Sequence, residues 1–244
     1  AGKGKHQALG PAVDLDRDPR NGRSPETGGE DPYLCAQITT AVVRGIQSTP
    51  TIATVKHYTA NHRENGRTTN NIVASKRVLH EDAGLPFRTA VQMGGALSVM
   101  NAYNLVNGDK CAESRELLTT MLRTRWGFPY YVVSDWGSIW NSQKAITAGC
   151  DVCMGSDNYR NDLPGLVAGG QISGALLDSV VRRVLRTKLV AGMLDYRPSG
   201  EPGDVNSAAH QALCLEAGRK SLVLLKNEAS VLPLPTDLSR GVAL

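Results

Sequence analysis

The sequence predicts an α/β fold in which a parallel sheet, covered by helices on both faces, forms a β/α barrel. Strand-like and helix-like segments alternate over the first two thirds of the 244-residue chain. The strand-like segments are almost continuously apolar, which is typical of parallel strands buried on both faces. Polar residues stand at the carboxyl ends of these segments, where a barrel gathers them into one ring.

Five segments have the apolar, β-branched composition of buried strands. They cover residues 7–15, 51–58, 96–103, 130–136 and 150–154. Their short lengths favour strands over buried helices. A closed (β/α)8 barrel has eight strands, so we expect this one to be incomplete, with its opening strands ahead of Ala1.

Helical patterns lie between the strands. They are centred on residues 33–47, 75–93, 114–125 and 138–148, and a longer one covers 173–194. Asp31-Pro32, Ser75 and Ser114 are residue types that begin helices. The basic residues of the longest helix recur at helical spacing, which we interpret as a solvated face; they are Arg182, Arg183, Arg186 and Lys188.

The last fifty residues predict a change of domain. Residues 195–204 form a Pro/Gly-rich linker, and residues 206–221 have a helical pattern. "LVLLKN" (222–227) and "GVAL" (241–244) are strand-like. Because an apolar strand at a chain end leaves an unpaired edge, we expect a second domain to follow. The expected boundaries are 1–194 for the barrel, 195–220 for the linker and helix, and 221–244 for the start of the second domain.

Composition argues against several functional classes. The chain is 41% hydrophobic and 20% charged, and its net charge is +4. The basic residues are not interleaved with aromatic ones, which argues against a nucleic-acid partner. No apolar run is long enough to span a membrane, and the first ten residues lack the apolar core of a signal peptide.

The five cysteines do not predict a disulfide framework, because their number is odd and their spacing irregular. Cys150 and Cys153 form a C-x-x-C. They lie in a strand-like run rather than at a helix start, so the pattern favours wall packing over redox or metal chemistry.

Polar residues at four strand ends decide between two arrangements of the sheet. They are Asp14, Lys56 with His57, Asn101 with Tyr103, and Asp135. A barrel would bring them together, whereas a doubly wound sheet would spread them along a crevice. No glycine-rich phosphate motif follows a strand, which argues against nucleotide binding.

Five blocks occur in an order that resembles glycoside hydrolase family 3, the retaining exo-acting β-glycosidases. They are "LGPAVDLDRDPRNGRSPETGGEDPYL" (9–34), "KHYTANHRENGR" (56–67), "MNAYNLVNG" (100–108), "RWGFPYYVVSDW" (125–136) and "KSLVLLKNEASVLPL" (220–234). The β-N-acetylglucosaminidase branch carries a Pro-Gly-His-Gly loop after the Lys-His pair. This sequence has "YTANHREN" there, so it is more similar to the β-glucosidase branch.

The resemblance implies roles for five residues. Asp135 matches the catalytic nucleophile, and Trp136 matches an aromatic residue that walls the sugar subsites. Arg23, Lys56 and His57 match residues that bind hydroxyl groups of the non-reducing-end sugar. The chemistry fits, because a retaining glycosidase needs a carboxylate beneath the anomeric carbon to form a covalent intermediate.

Four further residues have weaker assignments. Tyr103 matches a position beside the nucleophile, from which its phenol could donate to the carboxylate. Met100 is expected to line the sugar pocket, although an interior methionine is also typical of a core. Glu64 and Arg67 follow the Lys-His pair, and we expect them to pair with each other as part of the scaffold.

The resemblance also implies functional groups outside this chain. In the family, an acid in the opening barrel strands binds two sugar hydroxyls, and the general acid/base usually comes from an α/β sandwich domain that would follow Leu244. We therefore expect these segments as partners, possibly as another chain. Two residues depart from the family: Asn21 replaces an aromatic residue, and Tyr130 stands where glycine is common.

The sequence thus predicts a retaining β-glucosidase that acts on β-linked glucosides or oligosaccharides, with no cofactor and no nucleic-acid or membrane partner. No metal is expected, because the spacing of His57, His62 and Glu64 does not match the helical zinc motif. The family favours a secreted or periplasmic location. Two alternatives stay open: a Schiff-base aldolase or isomerase that uses Lys56, and a non-catalytic sugar-binding fragment.

Overall fold

The computed structural model describes residues 4–195 and 205–234. These residues form two separate units, a larger one over 4–195 and a smaller one over 205–234. Most of the predicted linker (195–204) and the predicted strand 241–244 lie outside the described residues. No helix in the described part of the chain is both long enough and apolar enough to cross a membrane.

Short strands build two sheets in the larger unit. In chain order they are β1 (Gln7–Ala8), β2 (Ile52–Tyr58), β3 (Asn71–Ile72), β4 (Ser98–Asn101), β5 (Leu105–Val106), β6 (Asp109–Lys110) and β7 (Tyr131–Val133). The main sheet has the order β1-β2-β4-β7, and all its neighbours are parallel. Val152 extends it through a parallel bridge to Val133. The five predicted strand positions and the α/β class are therefore confirmed.

Helices follow the strands of the main sheet. They are α1 (Pro32–Gln47), α2 (Lys76–Glu81), α3 (Leu85–Gln92), a π-helical segment (Glu116–Arg125), α4 (Ser142–Ala148), α5 (Asn158–Ala168) and α6 (Gly174–Val190). Asp31 caps α1 by accepting from the Leu34 amide, and Ser75 caps α2 in the same way. These two predicted helix starts are confirmed.

The single helix predicted over 75–93 is wrong in one respect, because the chain breaks between α2 and α3. At Gly84 an added Cβ would lie 2.1 Å from the Leu79 carbonyl oxygen, so only glycine permits the approach. Pro86 then occupies the first turn of α3, where its missing N–H has no cost. The break turns α3 so that it packs on α1.

The core lies between the main sheet and its helices. Every residue of β4 and β7 is buried, as are all residues of β2 except Lys56. Tyr58 packs edge-on against Phe87 and Trp126, with ring centroids 5.1 and 5.7 Å away, and its hydroxyl donates to the Leu117 carbonyl. These contacts fix the carboxyl end of β2 against the helical layer.

A buried carboxylate attaches α6 to the sheet. Asp151 accepts hydrogen bonds from Arg123 (2.6 Å), Arg183 (2.8 Å) and the Val132 amide (2.8 Å). Burial lowers the pKa of Arg123 from its usual value. The prediction of a solvated basic face on α6 is therefore wrong for Arg183, which points inward to this carboxylate.

The predicted packing role of the C-x-x-C pair agrees with its surroundings. Cys150 is buried and Cys153 is half-buried, and both are free thiols. The Cys153 sulfur lies 3.1 Å from the Ser156 hydroxyl. Burial raises the pKa of Cys150 far above that of an ordinary thiol, so this sulfur is not poised as a nucleophile.

The smaller unit contains the predicted helix, α7 (Ala208–Ser221), which Ser207 caps. The prediction of a strand over 222–227 is wrong, because these residues are in neither a strand nor a helix. They are largely exposed, and no strand in the described residues pairs with them. An apolar segment becomes a strand only where a partner satisfies its main-chain groups.

Candidate active site

One cavity lies at the carboxyl ends of the main strands. Its volume is about 430 Å³. The lining residues are Leu9, Arg23, Glu26, Lys56, His57, Arg67, Met100, Tyr103, Asp135 and Trp136. All seven residues that the sequence singled out for the site are among them. The carboxyl ends of adjacent parallel strands share one edge, which explains why residues distant in sequence converge.

Asp135 lies two residues beyond β7, with only 5% of its surface exposed. Its Oδ1 accepts the Trp136 amide at 2.7 Å. Its Oδ2 receives no hydrogen bond from residues 4–195 or 205–234. The His57 Nε2 atom lies 3.6 Å from this Oδ2. One oxygen of the carboxylate is therefore anchored, and the other is buried without a hydrogen-bond partner in the described residues.

The loop that carries Asp135 is held by the neighbouring strand position. The Ser134 amide donates to the Val152 carbonyl, and the Ser134 hydroxyl accepts the Met154 amide, both at 2.8 Å. The Gly137 amide also donates to Met154 at 2.8 Å. Because main-chain bonds flank Asp135 on both sides, its carboxylate has little freedom to move.

His57 lies between a carboxylate and a guanidinium. Asp14 Oδ2 lies 2.9 Å from His57 Nδ1 and also accepts the His57 amide at 2.9 Å. Asp14 Oδ1 accepts the Asn61 amide at 3.0 Å. On the other side of the ring, Arg23 Nη1 lies 2.9 Å from Nε2. The imidazole is thus fixed in position and orientation.

Arg23 is also clamped by Glu26. Its Nε and Nη2 atoms donate to the two carboxylate oxygens of Glu26, each at 2.8 Å. Lys56 Nζ lies 4.0 Å from the same carboxylate. The hydrogen bond from Arg23 lowers the pKa of Glu26, so this carboxylate stays ionised and balances the two cations.

Glu64 and Arg67 form the predicted pair, with 2.8 Å between Arg67 Nη1 and Glu64 Oε2. Their assignment to the scaffold is incomplete, however, because Arg67 also lines the cavity. Its guanidinium carbon lies 4.2 Å from the centre of the Tyr103 ring. This stacking fixes both side chains.

Tyr103 lies beside Asp135, the position that the sequence predicted, although its shortest hydrogen bond goes to the main chain. Its hydroxyl donates to the Trp136 carbonyl at 2.6 Å, and the Asp135 carboxylate is close enough to act on the phenol. Burial, followed by the negative charge of Asp135, raises the pKa of Tyr103 above its usual value. The phenol therefore stays protonated and holds the main chain next to Asp135.

Two residues give the cavity apolar surface. Trp136 is 62% exposed, and Gly155 makes its position possible, because a Cβ there would lie 2.7 Å from the indole. Met100 is buried beside Tyr131 and Val133 while it also faces the cavity. Met100 therefore belongs both to the core and to the cavity wall.

No functional role was predicted from the sequence for Asp14, Glu26 or Leu9. Asp14 carried a signal, since it is a polar residue at a strand end. The signal for Glu26 was weaker: it is an acidic residue three positions after Arg23. His62 and Glu64 are engaged with the Leu15 carbonyl and with Arg67. No cluster of three potential metal ligands is present within residues 4–195 and 205–234.

Comparison with known proteins gives the same picture along the whole chain. Residues 1–187 match the family model for the glycosyl hydrolase family 3 N-terminal domain. The probable β-glucosidase K of Emericella nidulans is 36% identical over 99% of this chain. The thermostable β-glucosidase B of Acetivibrio thermocellus is 35% identical over 93%. The chain spans 29% and 30% of the lengths of these two relatives.

Solved structures agree in fold. β-Glucosidase 3B from Thermotoga neapolitana, in complex with glucose, has a TM-score of 0.86 and 34% identity over 94% of this chain and 33% of its own. A β-glucosidase from Listeria innocua, also with glucose, has a TM-score of 0.89 and 32% identity over 96% of this chain and 36% of its own. The chain thus belongs to glycosyl hydrolase family 3, through the N-terminal domain of that family.

Proposed function

We propose that this chain supplies the nucleophile and the sugar-binding wall of a retaining, exo-acting β-glucosidase. One observation carries the proposal: Asp135 lines the cavity, its carboxylate is anchored through one oxygen, and its other oxygen is buried without a hydrogen-bond partner in the described residues. Attack on an anomeric carbon needs a carboxylate whose position is fixed and whose attacking oxygen is uncommitted.

The walls of the cavity suit a neutral, hydroxyl-rich ligand. Arg23, Lys56 and Arg67 present donors around the cavity, and Trp136 offers a flat apolar face to a sugar ring. Glu26 offsets part of the positive charge and can accept from a hydroxyl. A volume of about 430 Å³ is large enough for a terminal sugar ring.

The reaction we propose is double displacement. Asp135 Oδ2 forms a bond to the anomeric carbon while the bond to the leaving oxygen breaks and a general acid protonates that oxygen. Water then attacks the same carbon and gives its proton to the conjugate base, and Asp135 departs as a carboxylate. Two inversions at one carbon release β-glucose with retained configuration.

We propose that the general acid is none of the residues that line this cavity. Glu26 is a poor candidate, because Arg23 lowers its pKa and keeps it ionised. Tyr103 is a poor candidate for the opposite reason, since its pKa is raised above its usual value. An acid that works near neutral pH needs a pKa close to that pH.

We also propose that the main sheet is part of a β/α barrel that spans residues 1–194. A linker and helix (195–220) and the start of an α/β sandwich (221–244) would follow. The strand order supports this, because β1, β2, β4, β7 and Val152 are neighbours in chain order, as they are around a barrel. The match of residues 1–187 to the N-terminal domain model supports a first domain that ends close to residue 194.

The names of the relatives, which are β-glucosidases, and the glucose bound in two of the solved structures support glucose as the sugar. The Schiff-base alternative has no observation in its favour, because it leaves Asp135 and Trp136 without a function. The proposed substrates are therefore β-linked glucosides or oligosaccharides.

The test is covalent trapping in an active preparation of the enzyme that contains this chain. A 2-deoxy-2-fluoro-β-glucoside with a dinitrophenolate leaving group needs no acid for the first step, so the glycosyl-enzyme should accumulate. Intact mass should increase by one fluoroglucosyl group, and peptide mapping should place it on Asp135. Excess glucose should slow the labelling. A label on any other residue would contradict the assignment.

A further inference from the structure

We propose that Asp14 is a positioning residue that fixes the tautomer of His57, so that the imidazole donates no hydrogen bond to Asp135. The inference rests on the function proposed above for Asp135. It concerns a contact that the sequence does not predict, between a buried acid after β1 and a histidine near the end of β2.

The Asp14 side of the ring requires a proton on Nδ1. Asp14 is buried, and its two oxygens already accept the main-chain amides of His57 and Asn61. A carboxylate in that state acts as an acceptor, so the 2.9 Å contact to His57 Nδ1 is an N–H donation from the ring.

The Arg23 side of the ring requires a lone pair on Nε2. A guanidinium has donors only, so Arg23 Nη1 donates across the 2.9 Å contact and Nε2 accepts. Glu26 holds Arg23 in this position through two hydrogen bonds. The two sides of the imidazole, which are fixed independently, thus select one tautomer.

This tautomer has a consequence for the nucleophile. Nε2 lies 3.6 Å from Asp135 Oδ2, the oxygen that accepts no hydrogen bond within the described residues. In the opposite tautomer Nε2 would carry a proton that meets the Arg23 donor, and a shift of the ring by about 0.4 Å would bring this N–H within hydrogen-bond distance of Oδ2. It would donate to the attacking oxygen, and that bond would have to break before the bond to carbon could form.

The first experiment measures the tautomer without any substrate. The protein is labelled with ¹⁵N-histidine, and the ring-nitrogen shifts of His57 are assigned by their loss in His57→Gln. We expect a protonated Nδ1 and an unprotonated Nε2 in the wild type. In Asp14→Asn, where only Arg23 still opposes it, we expect a measurable share of the form with its proton on Nε2. A wild-type ring with its proton on Nε2, or on both nitrogens, would overturn the proposal even if Asp135 is the nucleophile.

The second experiment asks whether Asp14 acts through His57. The rate at which Asp135 is labelled by the dinitrophenyl fluoroglucoside is measured in an active preparation of the enzyme. In this step the bond from Oδ2 to carbon forms, and dinitrophenolate leaves with the electron pair. Asp14→Asn should slow the step about 10²-fold. This is less than the loss of about 10⁴-fold in a serine protease whose catalytic histidine has the wrong tautomer, because there the ring itself transfers the proton.

The decisive comparison uses a background without an imidazole. In His57→Gln, the added change Asp14→Asn should cost less than about threefold, because no tautomer remains to be selected. An equal loss in both backgrounds would mean that Asp14 only supports the main chain of His57 and Asn61, which would overturn the proposal. Failure of the proposed function is recognised separately, as a label that never appears on Asp135.

Discussion

Two buried aspartates lie outside the strands but next to the end of the main sheet, and they are used in opposite ways. Asp151, beside the last strand position, has three partners: Arg123, Arg183 and the Val132 amide. Asp135, just beyond β7, has a single main-chain partner and one oxygen with none in the described residues. Both side chains are almost completely removed from water.

The difference indicates which carboxylate the fold needs and which one it tolerates. A buried charge is costly unless it is paired and hydrogen-bonded. Asp151 meets that requirement, and its partners tie α6 to β7. Asp135 does not, so its burial should reduce stability, and such unsatisfied groups persist where chemistry requires them. The contrast predicts that one acid controls activity and the other controls folding.

The largest expected effect is the loss of activity in Asp135→Asn. Without a nucleophile, kcat of the active enzyme should fall by on the order of 10⁴–10⁶-fold, as for other lost nucleophiles. Stability should be unchanged or higher, because the amide oxygen can still accept from Trp136. Steady-state kinetics and urea denaturation measure the two effects. A variant with more than a tenth of the activity would remove Asp135 from its proposed role.

The converse change, Asp151→Asn, should act on stability. It leaves Arg123 and Arg183 without their counter-charge, and removal of one member of a buried pair typically costs about 3–5 kcal/mol. Urea denaturation measures the free energy of unfolding, and the folded fraction should keep its rate of labelling at Asp135. Asp178→Asn is the matched control, an exposed acid on the same helix α6, and it should change stability by less than about 0.5 kcal/mol. If Asp151→Asn and Asp178→Asn are equally stable, Asp151 does not have the structural role that distinguishes it from Asp135.

A smaller effect is expected from two residues of the cavity wall, Lys56 and His57. Lys56→Ala and His57→Ala should each cost about 2–4 kcal/mol of transition-state stabilisation, because Lys56 can donate to sugar hydroxyls, His57 holds the Arg23 donor beside them, and such contacts strengthen as the ring flattens. Both kcat and KM should therefore change. Lys144→Ala, an exposed lysine on α4, is the control. Changes in KM alone, by less than about threefold, would mean that Lys56 and His57 are structural.

The sequence could predict the main strands and the meeting of their polar ends, because both depend on local patterns. Apolar runs identify buried strands, and the parallel order then brings Lys56, Asp135 and the other strand-end residues to one edge. Some of the misses had a usable signal. Asn107-Gly108 is a typical hairpin turn, and both residues have positive φ in the turn between β5 and β6.

Other features could not be read from local sequence. Helix α5 has a proline in its interior, Pro164, which argues against a helix. The direction of the Tyr103 hydroxyl and the clamp of Glu26 on Arg23 depend on how separate loops meet in space. Residues 222–227 have strand-like composition, but a strand also needs a partner, and composition does not supply one.

Asn21 is a buried polar residue that the proposed reaction does not use. It tests whether a buried side chain without hydrogen bonds reduces the stability of the fold. It is 1% exposed, and neither its amide nitrogen nor its amide oxygen has a partner within residues 4–195 and 205–234. Its main chain is held by other bonds, to the Asp18 carbonyl and from the Glu64 amide, so the side chain can be changed alone. It also stands where the family usually has an aromatic residue.

Asn21→Leu should therefore raise the free energy of unfolding by about 1–3 kcal/mol, the typical cost of an unsatisfied buried polar group. The matched control is Asn101→Leu, because the Asn101 amide donates to the Ser138 hydroxyl and the Ala102 carbonyl. That variant should lose stability by a similar amount. Urea denaturation of both variants measures the difference. If Asn21→Leu is destabilising as well, the Asn21 amide has a partner outside the contacts of the described residues. The expectation that the unpartnered oxygen of Asp135 reduces stability would then lose its support.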